Sequence, residues 1–158
     1  MDSKAEIKQE SGKNELSALF EFFNEIGIIN QLASTLFQKK LADGVTVAQF
    51  SVLNHLIRVK DGQTPLVLAT AFQVPKTTMT HTLFGLEKRG FVVMKRNADD
   101  GRSKCVWLTD AGRSFRERSI AALSEEMVRL TPLLEVREMT KITPLLATVR
   151  KVLDKDRN

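Results

Sequence analysis

Apolar residues return every third or fourth position through most of the chain and every second position in one short stretch, which predicts a helical protein with a single β-hairpin. From Leu16 to about Leu41 two apolar stripes share one helix, the first through Leu16, Leu19, Phe20, Phe23 and Ile26, the second through Phe22, Ile29, Leu32 and Leu36. A helix lying on one core needs only one such stripe. The extra face is expected to bury against another subunit, with a helix central to the monomer core as the alternative. Ahead of it, residues 1–14 are polar and read as a flexible N-terminus.

Thr46 and Gln49 have the spacing of a capping box, and Val47, Phe50, Leu53, Leu56 and Ile57 continue as a helix until "KDGQ" interrupts it. Thr64 followed by Pro65 marks the start of a short apolar helix, "LVLATAF", which ends in the turn "QV". Pro75 fits only the first turn of the next helix, in which Met79, Leu83 and Leu86 point inward and Gly90 closes the end. Its other face carries Lys76, Thr77, Thr78, Thr80, His81 and Lys88. Short hydroxyls, an imidazole and cations allow a helix to approach base edges and phosphates, where bulky or acidic groups would obstruct or repel. Immediately afterwards "FVVMKR" and "KCVWL" alternate with period two, predicting a hairpin over the tip Asn97 to Arg102. Thr109 and Asp110 open a long helix through Phe115, Ile120, Leu123, Met127 and Leu130. A break near Thr131 and Pro132 precedes a last helix, in which Pro144 should introduce a kink or shift the start.

Charge sharpens this picture. The net charge is +5, and residues 65–104, which hold the short helix pair and the hairpin, contain seven basic and three acidic groups. Lys76, Lys88, Arg89, Lys95, Arg96, Arg102 and Lys104 all fall in this stretch, as an anionic partner would require. The single cysteine, Cys105, excludes an intrachain disulfide, and two histidines, His55 and His81, are too few for most histidine metal sites, so neither metal nor cofactor is expected. Asp99 and Asp100 are adjacent on a loop tip, and no Ser-His-Asp or Cys-His grouping is evident, which argues against an enzyme. The N-terminus lacks a signal-peptide core and no apolar run approaches bilayer length, so a cytoplasmic protein without a membrane partner is expected.

Helix-turn-helix followed by hairpin is a winged helix, and the run "LEKRGFVVMKRNADDGRSKCVWLTDAG" resembles the MarR family of transcription regulators through Leu86, Glu87, Gly90, Asp100, Arg102, Leu108, Thr109 and Gly112. The resemblance covers about Leu16 to Leu153. It implies a mainly α fold with a small β-hairpin wing. Residues 46–109 would be the winged-helix lobe, and 15–41 with 110–155 would be dimerisation helices within a single domain, 15–158. It implies a dimeric, sequence-specific regulator of double-stranded DNA with a pseudo-palindromic operator, a repressor released by a small aromatic or anionic effector. A protein-interaction module, or a regulator insensitive to ligand, is the alternative. Recognition-helix contacts would come from Lys76, Thr77, Thr78, Thr80 and His81, and wing contacts from Arg96, Asp100, Arg102 and Lys104, with Arg102 in the minor groove and Asp100 positioning it. The dimer interface would include Leu16, Phe20, Leu145, Val149 and Leu153.

The sequence departs from the family pattern at Gly101, Pro75 and His81, which stand where a second wing arginine, a cap serine and a recognition-helix arginine are common. Cys105 reads as a small packing or edge residue, His55 as an interior or boundary histidine with a partner, and Trp107 as a contact between wing and domain. Phe20, Phe22 and Phe23 read as plain core, with an effector pocket as the alternative.

Overall fold

A computed structural model of the protein describes residues 3–98 and 100–155, with side chains from Gly12 onward. It comprises α1 (Ser3–Lys40), α2 (Val47–Arg58), α3 (Pro65–Phe72), α4 (Lys76–Lys88), β1 (Val92–Arg96), β2 (Lys104–Leu108), α5 (Asp110–Leu130), a 3-10 turn (Thr131–Leu133) and α6 (Val136–Lys155). Backbone packing divides it into two compact units, Met1–Arg116 and Glu117–Asn158. This is the mainly helical fold with one antiparallel hairpin that the periodicity predicts.

α1 starts earlier than expected. The segment read as flexible over residues 1–14 is helical from Ser3, Met1 and Asp2 lying outside the described residues. Ala, Glu, Lys and Gln dominate this stretch and no proline interrupts it, so helix propensity extends the element beyond its apolar stripes. A second correction concerns the reading of the phenylalanines as plain core. Phe20, also expected at an interface, is 76% exposed in the single chain, Phe23 is exposed as well, and half-buried Phe22 meets Phe23 edge to face at 5.5 Å.

The first unit is built on Val45, Val52, Leu53, Leu56, Leu68, Met79, Leu83, Leu86, Val92, Val106 and Phe115. The Thr46 side chain accepts from the Gln49 backbone N–H at 3.2 Å while the Gln49 side chain accepts from the Thr46 backbone N–H at 3.1 Å, so the expected capping box is complete. Thr46→Ala is expected to cost about 1 kcal/mol. In urea the unfolding midpoint should fall with an unchanged m value; a midpoint equal to wild type would mean that the box adds nothing. At α3, Thr64 caps the helix and Gln73 ends it in the left-handed region at φ 52°.

The seam between the wing and α5 accounts for the Leu-Thr-x-x-Gly pattern. Thr109 Oγ1 donates to the Gly90 carbonyl at 2.6 Å and accepts from the Gly112 backbone N–H at 3.1 Å, thereby tying the end of α4 to the start of α5. A Cβ on Gly112 would lie 2.1 Å from the Phe91 carbonyl oxygen, so only glycine fits. Phe91 and Phe115 stack beneath this seam at 4.7 Å. Gly90, at φ 71°, supplies the left-handed residue after α4 and lets the Phe91 N–H reach the Leu86 carbonyl.

β1 and β2 pair from Val92↔Leu108 to Arg96↔Lys104, and Gln63 bridges to Val106 on the outer edge of β2. Asp61 Oδ1 accepts from the Gly62 and Leu108 N–H groups at 2.9 and 3.0 Å, anchoring the α2–α3 loop to the hairpin. Cys105 is buried on β2, and His55 Nε2 meets Gln63 Oε1 at 2.8 Å, each in the packing role expected of it. Trp107 stands against Gly62 but remains partly exposed, with Lys95 Nζ 5.9 Å from its ring centroid.

In the second unit, buried Glu126 is held by Arg129. The expected break occurs as the 3-10 turn, and α6 then runs through Pro144 from a start at Val136, so the proline does not shift that start.

Candidate nucleic-acid interface

Met79, Leu83 and Leu86 anchor α4 in the core and fix which side of it faces outward. Lys76, Thr77, Thr78, Thr80 and His81 are exposed, as the sequence pattern requires of a face that approaches a partner. Pro75 is the N-cap and makes no side-chain capping bond, so no side chain of that residue competes with an anion for the first N–H groups of the helix. The hydroxyls are less available than their residue types imply. Thr80 Oγ1 donates to the Lys76 carbonyl at 2.8 Å and Thr82 Oγ1 to the Thr78 carbonyl at 3.0 Å. Thr80 therefore offers outward an acceptor oxygen and a methyl group.

Sequence reasoning passed over Phe84, which is 63% exposed and joins Lys76, Thr77, Thr80 and His81 around an open hollow of about 460 Å³. The signal was present in the spacing of positions 77, 80, 81 and 84, but an apolar residue is ordinarily assigned to the core. Arg89 takes an unforeseen role. Its Nη2 donates to the carbonyls of Asp43 and Gly44 at 3.0 and 3.1 Å, bracing the α1–α2 loop.

The wing tip is held by short-range hydrogen bonds. Asn97 N–H donates to the Ser103 carbonyl at 3.0 Å, and Asn97 Nδ2 to Ser103 Oγ at 3.0 Å. The Asp100 carbonyl accepts from Ser103 N–H and Oγ, and Asp100 Oδ1 accepts from the Arg102 backbone N–H at 3.0 Å. Asp100 thus shapes the backbone from which Arg102 projects; its hold is on the main chain. Asp99 lies outside the described residues. Arg96, Arg102 and Lys104 are exposed, and Arg96 and Lys104 are directly opposed across the strands. Like charges in that position disfavour the hairpin by themselves, and a polyanion laid across the wing relieves the repulsion.

α4 and the wing belong to the same compact unit and are joined through Gly90 and Phe91. Residues 43–103, which contain α4, β1 and the hairpin tip, match the sequence model of the MarR family. No curated protein matches the chain in sequence. Among solved structures the chain is similar to a probable transcriptional regulator from Pseudomonas aeruginosa, at 28% identity and a TM-score of 0.68, covering 78% of this chain and 92% of that one. Wild-type MarR from E. coli, in the apo form, aligns at 27% identity and a TM-score of 0.70, covering 80% and 94%. A MarR transcriptional regulator from Methanosarcina mazei Go1 aligns at 26% identity and a TM-score of 0.75, covering 85% and 98%. A helix-turn-helix whose outward face is cationic and hydroxyl-rich, a basic hairpin beside it and these likenesses agree: the chain carries a winged-helix region similar to that of the MarR family of transcription regulators.

Proposed function

We propose that the protein acts as a homodimer, setting α4 of each copy into successive major grooves of a pseudo-palindromic operator in the cytoplasm and repressing transcription until a small aromatic or anionic effector releases it. Lys76, Thr77, Thr78, Thr80 and His81 face the base edges and backbone, while Arg96, Arg102 and Lys104 of each wing meet the flanking groove. Reading two half-sites requires two recognition helices about 34 Å apart, hence two copies. A dimer seated on promoter DNA excludes other proteins from it, so repression asks for no further surface.

The observation that carries the dimer is apolar exposure on the terminal helices. Leu16 is 69% exposed on α1, and Leu145 and Leu153 are 66% and 52% exposed on α6, with Val149 half-buried. Single exposed apolar residues are ordinary, but whole stripes of them imply a cover. Wild-type protein at micromolar concentration is expected to sediment at twice the chain mass of 17.8 kDa. Leu145→Glu and Val149→Glu should yield monomers or insoluble chains. A wild-type monomer under those conditions would remove the dimer from this reading.

For the effector, a second hollow of about 610 Å³ in the first unit is lined by Ser34, Thr35, Gln38, Lys39, Thr46, Val47 and Ala48. Its hydroxyls and single ammonium suit a small anion, and the Phe20, Phe22 and Phe23 group does not line it. Aromatic acids that raise the melting temperature should also lower the fluorescence anisotropy of a labelled duplex held by the protein; a broad panel without effect would favour a ligand-insensitive regulator. No helix among the described residues is long and apolar enough to cross a membrane.

A further inference from the structure

We infer that Phe84 is a specificity determinant that reads the C5-methyl group of thymine in the major groove, an inference that rests on the DNA-binding reading of α4. The ring is exposed although the helix already has its core anchors in Met79, Leu83 and Leu86, so folding does not account for its position. It continues the outward row of Thr77, Thr80 and His81. At about 1.5 Å per residue, Phe84 lies roughly 10 Å beyond Thr77 along the helix, the length of about three base-pair steps. A helix laid in the groove therefore holds both over base edges.

The hollow beside the ring has the chemistry of a methyl site. Phe84 forms one wall, the Lys76 side chain adds an aliphatic stem, and Thr77 and Thr80 each carry a methyl group. The Thr80 hydroxyl hydrogen is already given to the Lys76 carbonyl, which removes one donor from this surface. Along the major groove of unmodified DNA, the apolar group a base pair presents is the thymine methyl. The surrounding charge draws the helix to phosphates without regard to sequence, whereas the hollow discriminates between base pairs.

Duplexes selected from a randomised pool with the wild-type protein provide the probe. Each thymine of a selected duplex is then replaced in turn by deoxyuridine, which deletes only the methyl group. At one or two positions per half-site the wild type is expected to lose about fourfold in affinity per methyl. Phe84→Ala should bind the parent duplex more weakly and lose that sensitivity at the same positions, and Phe84→Leu should keep part of it. Circular dichroism should show both variants folded, since the side chain is exposed. Equal losses for wild type and Phe84→Ala at every position, or no sensitivity to deoxyuridine anywhere, would overturn the inference and leave DNA binding standing. If no duplex is enriched by the wild type, the DNA-binding reading falls and this inference with it.

Discussion

Gly112→Ala is expected to lower the melting temperature by roughly 4–8 °C, a net loss of about 2 kcal/mol in a protein of this size. Two effects oppose each other. Alanine favours a helix over glycine by about 1 kcal/mol, which by itself would stabilise α5. Against this, the added Cβ would sit 2.1 Å from the Phe91 carbonyl oxygen and 2.9 Å from its carbon. Both are backbone atoms, so no rotamer change relieves the overlap, and separating the segments disturbs the Thr109 bridge and the Phe91–Phe115 stack together. Overpacking of this kind costs roughly 1–3 kcal/mol, and contact with rigid backbone places it at the upper end. Gly12→Ala is the control: nothing lies within 4 Å of its Cβ position, and the same helix preference should raise the melting temperature by roughly 2–4 °C. Calorimetry on the two variants checks both signs. A Gly112→Ala protein as stable as wild type would mean that the seam yields freely and that the glycine serves another purpose.

The features legible in the sequence are those whose cause lies within a few residues. Thr46 with Gln49, Thr64 with Pro65, and Gly90 after α4 are local signals of helix ends, and each stands where its spacing placed it. The inward row Met79, Leu83 and Leu86 follows from helical periodicity, and that also determined which α4 residues face out. Strand pairing was readable because each strand alternates and the connection is short, although the loop takes in Ser103 as well.

What escaped the sequence depends on distance or on competition between rules. Arg89 reaches carbonyls 45 and 46 residues back, and Asp61 holds a backbone group 47 residues ahead; no spacing rule joins them. The start of α1 was missed because apolar stripes were taken as the measure of helix, while propensity alone extends it to Ser3. Phe84 was passed over, and Phe20 was read as core as well as interface, for one reason: an aromatic residue is assigned to the core by default, yet a surface that meets a partner carries apolar groups outside the chain's own core. The two-striped reading of α1 was the sequence's indication of this, and Leu16, Phe20, Ile29 and Leu32 are all exposed.

Arg102→Ala is expected to weaken operator binding by roughly 60-fold at 0.1 M salt and to reduce the slope of log K against log salt by about 2. Arg102 is exposed at the wing tip, its backbone fixed by Asp100 Oδ1 and the surrounding turn, so its substitution should leave the fold unchanged. A dimer brings two wings, and each arginine that enters the narrow, negative minor groove releases about one counterion. Because the contact senses groove width, the variant should lose more affinity for operators with A·T-rich flanks than for those with G·C-rich flanks, narrowing the gap between them. Asp100→Ala separates position from charge. It removes the acceptor for the Arg102 N–H and loosens the tip while the guanidinium remains, so binding should weaken less, at nearly the wild-type salt slope. A salt series on wild type and both variants, with circular dichroism to confirm folding, distinguishes these outcomes. If folded Arg102→Ala retains both the slope and the affinity, the wing does not enter the groove and the tip from Asn97 to Ser103 is an ordinary solvated loop.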